Sequence, residues 1–217
     1  MKKHIFVLFT FVVTLAFTGS ISAQKDTNPE KIDDKTILNP TPTPSPTPMK
    51  LERTKPFDGE VEFPEVDGWE LGRRSTFPQK ELGYSVNYES PIAGRVTVYV
   101  YTGGVSRIPN DLTGPVAAQM KQAKSDIKQA VDAGYYDSVK DVRSETITLG
   151  GTDGKVKALY TLLDLRANGN KLDSEIYVFP YNGYFVKLRA TRPASEKGSK
   201  IEAMEDLLKA LDDTFAF

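Results

Sequence analysis

Between residues 143 and 191 apolar and polar side chains alternate, and the alternation is broken at three Asx-Gly pairs, Asp153-Gly154, Asn168-Gly169 and Asn182-Gly183. Alternation with a period of two marks a strand with one buried face, and an Asx-Gly pair between two such runs marks a two-residue hairpin. The pattern predicts a four-stranded antiparallel meander over about 143–151, 155–167, 171–181 and 184–191. With each pair as the central turn residues, Leu149 opposes Ala158 and Ile147 opposes Tyr160. Tyr160 then opposes Tyr177, Ala158 opposes Phe179, Phe179 opposes Val186 and Tyr177 opposes Leu188. All these side chains share one face, and their bulk assigns it to the core.

The opposite face collects Thr146, Thr148, Leu159, Thr161, Leu163, Ile176, Val178, Phe185, Lys187 and Arg189. It is too apolar to stand bare and too polar to be dry, which predicts partial cover by a helix or a loop. Upstream, Trp69–Phe77, Leu82–Glu89 and Arg95–Thr102 read as strands, with turns near Gln79–Lys80 and Ala93–Gly94. In the last of these Val96, Val98 and Val100 point one way and Thr97, Tyr99 and Tyr101 the other, the pattern of a central strand covered on both sides.

Two helical stripes complete the set. Residues 112–133 place Val116, Ala117, Met120, Ile127, Ala130 and Val131 on one side, with Gly134 as the stop. Residues 196–213 do the same with Ile201, Met204, Leu207, Leu208 and Leu211, and Ser199-Lys-Ile-Glu202 matches a capping box, although a start near Ser195 is also open. The expected fold is α+β: an antiparallel sheet of about six to seven strands with two main helices packed on it.

The N-terminal residues bear on location. Lys2 and Lys3 precede an apolar run of about 13 residues, Ile5 to Phe17, followed by the small residues Gly19, Ser20, Ser22 and Ala23. That order reads as a secretory signal peptide over 1–23, cleaved after Ala23. The run is short of the roughly 20 residues that cross a bilayer as a helix; retention as an anchor is the rival reading. Residues 24–56 are polar and contain Thr41-Pro-Thr-Pro-Ser-Pro-Thr-Pro48. Proline at every second position blocks helix and sheet and favours extended polyproline II, a disordered spacer of roughly 25 Å, or a glycosylated stalk. Residues 57–217 are expected to form one α+β domain.

Composition narrows the chemistry. The chain has no cysteine, and its one histidine, His4, falls in the expected signal. The mature domain then has no Ser–His–Asp or Cys–His nucleophile and no ordinary zinc ligand set, and no lipidation after the signal. Loss of Lys2 and Lys3 leaves 26 basic against 29 acidic residues, a net charge of −3. That mild balance argues against a nucleic-acid partner. No metal and no cofactor motif is found.

Gly83-Tyr-Ser-Val-Asn-Tyr88, Val96-Thr-Val-Tyr-Val-Tyr101 and Phe179-Pro-Tyr-Asn-Gly-Tyr-Phe-Val-Lys-Leu-Arg-Ala-Thr191, in this order of elements, resemble the PsbP/Mog-type fold. That fold includes the PsbP photosystem II extrinsic subunits, the Ran-binding Mog proteins and the bacterial DcrB-like envelope proteins. The likeness covers most of 65–217 and is one of pattern. It implies an α/β/α sandwich and a non-catalytic module that binds a protein partner or supports an assembly, in a lumen or periplasm.

Several residues compete for a site. Lys187 and Arg189, alternate residues on the mixed face beside Thr146, Thr148 and Thr161, suit an acidic ligand or an acidic partner strip; the plainer reading has both carry their charges past a covering segment to solvent. The candidate binding residues are therefore Thr148, Thr161, Lys187 and Arg189. Asp164 and Asp173 oppose each other near Asn168-Gly169, as an acid–base pair, a calcium site or a solvated hairpin end beside Arg166 and Lys171. Gly150-Gly-Thr-Asp-Gly-Lys155 has the outline of a phosphate loop, but its spacing differs from that motif and Val156 stands where Ser or Thr belongs, so it reads as a hairpin. Trp69, Tyr99 and Tyr101 read as an aromatic patch or as strand packing. The function expected is an exported, periplasmic or extracellular, non-catalytic binding or assembly module, with an envelope protein as partner. The alternatives are a carrier or sensor of a small anionic ligand on the mixed face, and a hydrolase working through carboxylates alone.

Overall fold

The computed structural model describes residues 61–194 and 199–216. The signal and linker expected over 1–56, the expected domain start at 57, a helix start near Ser195 and the side chains of the Ser199 to Ile201 segment lie outside what is described. The elements are β1 (Glu70–Leu71), β2 (Ser75–Thr76), β3 (Tyr84–Ser90), β4 (Gly94–Tyr101), α1 (Gly114–Asp132), β5 (Ser138–Thr148), β6 (Lys157–Ala167), β7 (Asn170–Tyr181), β8 (Tyr184–Pro193) and α2 (Ser199–Phe215). All eight strands form one antiparallel sheet in the order β1-β3-β4-β8-β7-β6-β5, with β2 also paired to β3. The fold is α+β, an antiparallel sheet carrying two helices.

The two Asn-Gly pairs make the expected turns. Asn168 and Gly169 have φ of 52° and 75°, Asn182 and Gly183 of 47° and 79°. Positive φ at both central residues matches the right-handed twist of the flanking strands. The register follows: Tyr160 opposes Tyr177, Phe179 opposes Val186, Tyr177 opposes Leu188 and Asp164 opposes Asp173.

Asp153-Gly154 does not behave this way. Gly150 and Gly151 take the left-handed conformation, 151–153 form a 3-10 turn, and Gly154 has φ of −70°. Ile147 therefore opposes Ala158 and Glu145 opposes Tyr160, two residues from the register expected. The cause is tertiary. The Asp212 carboxylate, 3% exposed on α2, accepts the N–H of Lys155 at 3.0 Å and of Val156 at 2.8 Å, and a Cβ at Gly150 would stand 3.0 Å from Asp212 Cβ. A slip of two leaves every side chain on its expected face.

β5 starts five residues earlier than expected, because a bulge between Asp141 and Arg143 lets Ser138–Asp141 go on pairing with β6. The strand expected over Trp69–Phe77 is instead the two short strands β1 and β2. Between them Gly72 donates its N–H to Asn87 O at 2.8 Å, and a Cβ there would come 3.2 Å from that oxygen. This division raises the strand number to eight. α1 ends as expected: Gly134 has φ of 78°, its N–H reaches Val131 O, and the Tyr135 N–H reaches Ala130 O, a Schellman closure.

Each sheet face has its own core. α2 packs Met204, Leu207, Leu211 and Phe215 against Val86, Tyr88, Val98, Ala158, Phe179 and Leu188. α1 packs Val116, Met120, Ala123 and Ile127 against Leu163, Ile176, Val178 and Phe185. The mixed face is thus drier at its centre than its sequence suggests. Among the described residues no helix is long and apolar enough to cross a membrane.

Candidate functional site

The side chains of β4 and β8 that face α1 decide where Lys187 and Arg189 lie. Lys187 opposes Tyr99 across the β4–β8 pair. Its ammonium sits 4.6 Å from the Tyr99 ring centre and 5.5 Å from that of Tyr101, a cation–π arrangement. Burial pushes its pKa down to about 8; Asp126 on α1 works against this and Arg189 adds to it. Arg189 donates to the Tyr136 hydroxyl at 2.9 Å, with its guanidinium 5.9 Å from that ring centre. Tyr101 is held by Gln119 of α1 at 2.9 Å, and burial raises its pKa above the usual tyrosine range. Both cations are thus half-buried against aromatic rings, Lys187 on Tyr99 and Tyr101 and Arg189 on Tyr136.

Thr161 is fully buried on β6 and shares a 2.7 Å hydrogen bond with Ser144 on β5. Thr148, near the end of β5, takes a hydrogen bond from the Lys157 ammonium at 3.0 Å. The four candidate residues do not converge. Arg189 opposes Ile176, which opposes Thr161, so an apolar strand separates cation from hydroxyl by two strand spacings, roughly 10 Å. Trp69 and the two tyrosines part in the same way. Trp69 donates to Ala203 O at 2.9 Å on the α2 face, while Tyr101 packs by α1 and Tyr99 lies beside Lys187 on the same side of the sheet.

A different set of cations joins the threonines. Between α1 and the β5–β6 edge runs an open groove of about 670 Å³, with Thr146, Leu159, Ser144 and Thr161 along the sheet and Lys121, Lys124 and Lys128 along the helix. Spacings of three and four residues put the lysines in one row beside the buried stripe of α1. Lys124 pairs with Asp141 at 2.7 Å and Arg143 with Glu145 at 3.0 Å, while Lys121 and Lys128 make no ion pair among the described residues. Asp141 is thereby matched by Lys124, the Arg143–Glu145 pair lies by Tyr160 of the α2-side core, and Lys121 and Lys128 leave the groove cationic. The lysine row shows in the sequence as a helical repeat; that this flank of α1 faces β5 does not.

The buried carboxylates are committed elsewhere. Glu175 holds Arg192 at 2.5 Å and accepts the Tyr177 hydroxyl at 2.9 Å. Asp212 binds the turn amides of the glycine-rich segment, so the protein's own carboxylate occupies the N–H groups an anion would need. Asp164, at the exposed Asn168-Gly169 hairpin end, lies 3.4 Å from Lys171. Among the described residues no three histidine, cysteine, aspartate or glutamate side chains gather as a metal set.

No family model matches the sequence, and no curated protein matches it significantly. The chain is similar in fold to the solution structure of cyanobacterial PsbP (CyanoP) from Synechocystis sp. PCC 6803, with a TM-score of 0.40 and 14% identity over 69% of this chain and 79% of that one. A likeness of that degree carries neither residues nor roles between the two chains.

Proposed function

We propose that this chain is an exported, non-catalytic binding or assembly module of the cell envelope, carried on its proline-rich segment, and that the α1–β5 groove receives an acidic strip of a partner protein. The observation that carries the reading is the row of Lys121, Lys124 and Lys128 over the exposed Ser144 and Thr146, with Asp141 already paired to Lys124. Export rests on the order of residues 1–23 and the tether on residues 41–48. A small anion suits the same charges less well, because the groove is open along its length and small-molecule sites enclose most of their ligand. Acid–base chemistry is disfavoured by the commitment of Glu175 to Arg192 and of Asp212 to backbone amides.

The test is co-purification from native cell extract with the full chain and with K121E/K128E, which spares the Lys124–Asp141 pair. Exposed substitutions of this kind change stability by about 0.5 kcal/mol or less, so loss of a partner reports on the groove. A partner held by the parent and lost from the variant supports the reading; a partner held equally by both places the surface elsewhere.

A further inference from the structure

β5 ends the strand order, so among the described residues one of its edges has no strand beside it. Which backbone groups face that edge follows from one hydrogen bond. Leu149 N–H reaches Val156 O at 2.8 Å, and pairing continues as Ile147 with Ala158 and Glu145 with Tyr160. In an antiparallel ladder residues alternate between bonding the neighbour and pointing away from it. Ser144, Thr146 and Thr148 therefore direct their N–H and C=O groups outward. Their side chains lie on the face covered by α1, the face of the lysine row.

Edges of this kind are templates for strand addition unless something blunts them. Here the bulge after Asp141 blunts the first half, where Val142 stands 56% exposed, and leaves Arg143–Thr148 in regular register. A strand laid antiparallel along that half would form hydrogen-bonded pairs with Ser144, Thr146 and Thr148. Residues in such a pair put their side chains on the same face, so every second residue of the incoming strand would lie beside Lys121, Lys124 and Lys128. With Asp141 already paired to Lys124, the charge to be met there is that of Lys121 and Lys128, and it is positive.

We infer that the partner's acidic strip binds as an extended strand, added antiparallel to the outer edge of β5 at Ser144–Thr148, with acidic residues at alternate positions facing the α1 lysines. This inference rests on the groove reading above and adds the mode of binding and the sequence pattern of the partner.

The test uses the full-length chain and a fluorescein-labelled peptide of alternating Glu and Val, read by fluorescence anisotropy. N-methylation of the Glu amides removes the donors that would pair with β5; N-methylation of the Val amides removes donors on the far edge and leaves the charges intact. The expected result is that the parent and Val-methylated peptides bind alike, while the Glu-methylated peptide binds at least about tenfold more weakly, a modest figure for several lost hydrogen bonds. Equal binding by both methylated peptides, together with loss in K121E/K128E, overturns strand addition and keeps the cationic groove. Binding unaffected by K121E/K128E overturns the groove reading itself, and no binding of the parent peptide overturns the inference. A dimer that Thr146→Pro converts to monomer, that proline removing only an outward N–H, would show the edge taken by a second copy and overturn it as well.

Discussion

The two faces of the sheet contain similar apolar runs and are closed in different ways. α2 seals its face. Phe215 meets Phe179 at 5.5 Å, Tyr181 at 5.1 Å and Phe63 at 6.1 Å between ring centres, and Asp212 fastens the last turn of the helix to the β5–β6 turn. α1 closes only the middle of the other face. Its stripe from Val116 to Ile127 covers Ile176, Val178 and Phe185, and its lysine flank meets β5 at Asp141, beside the bulge, leaving Ser144 and Thr146 exposed. On the other face Val61, Phe63 and Trp69 add to the cover that α2 gives, whereas beside α1 Ser144 and Thr146 of β5 stay exposed. Among the described residues the uncovered margin falls where the sheet ends, and there the Ser144 and Thr146 hydroxyls, the lysine row and outward-facing backbone groups come together.

Phe215→Ala should produce the largest effect, because it removes the fully buried ring joining α2 to three aromatic partners. A loss of about 3–5 kcal/mol is expected in urea unfolding. A loss below about 1 kcal/mol would mean that the α2 face is not sealed as described. Asp212→Ala should cost about 2–3 kcal/mol, since it strands buried amides that bond a charged group. Hydrogen exchange at Val156 should rise with it; an unchanged exchange rate would deny the clamp.

Lys187 tests the α1 face. Its folded pKa of about 8 lies below the ordinary 10.5. Between those values the unfolded chain binds more protons, so this group makes stability rise with pH from about 8 to 10.5, and its full destabilising effect is present below pH 8. Lys187→Met should melt at a higher temperature than the parent at pH 7, with the gap closing by about pH 10.5. Burial raises the pKa of Tyr99 and Tyr101, which weakens both proteins at higher pH, so the quantity to follow is the difference between them. A gap that stays constant with pH would mean that Lys187 is not held in a dry aromatic setting.

Local chemistry explains which parts of this architecture could be read ahead. Asn168-Gly169 and Asn182-Gly183 set their turns and registers because an Asx-Gly pair supplies its own left-handed backbone. Asp153-Gly154 looked the same and was overruled from a distance, since Asp212 lies 57 residues away from Lys155. Its position was a clue: an aspartate near the C-terminus of α2 opposes the helix dipole, and so calls for a compensating partner. Lys187 and Arg189 share a face with Thr148 and Thr161, as alternation predicts, but Ile176 and Val178 of β7 stand between them.

The sequence by itself determined the meander, the face its strand side chains take and the existence of both helices, because these depend on periodicity and turn residues. Only the tertiary structure decided that β8 returns to pair with β4. That pairing makes β5 the terminal strand, and the docking of α1 turns Lys121, Lys124 and Lys128 toward it. Strand order and helix rotation are set by contacts between residues far apart in the chain, where many side chains interdigitate at once, and no local pattern encodes them.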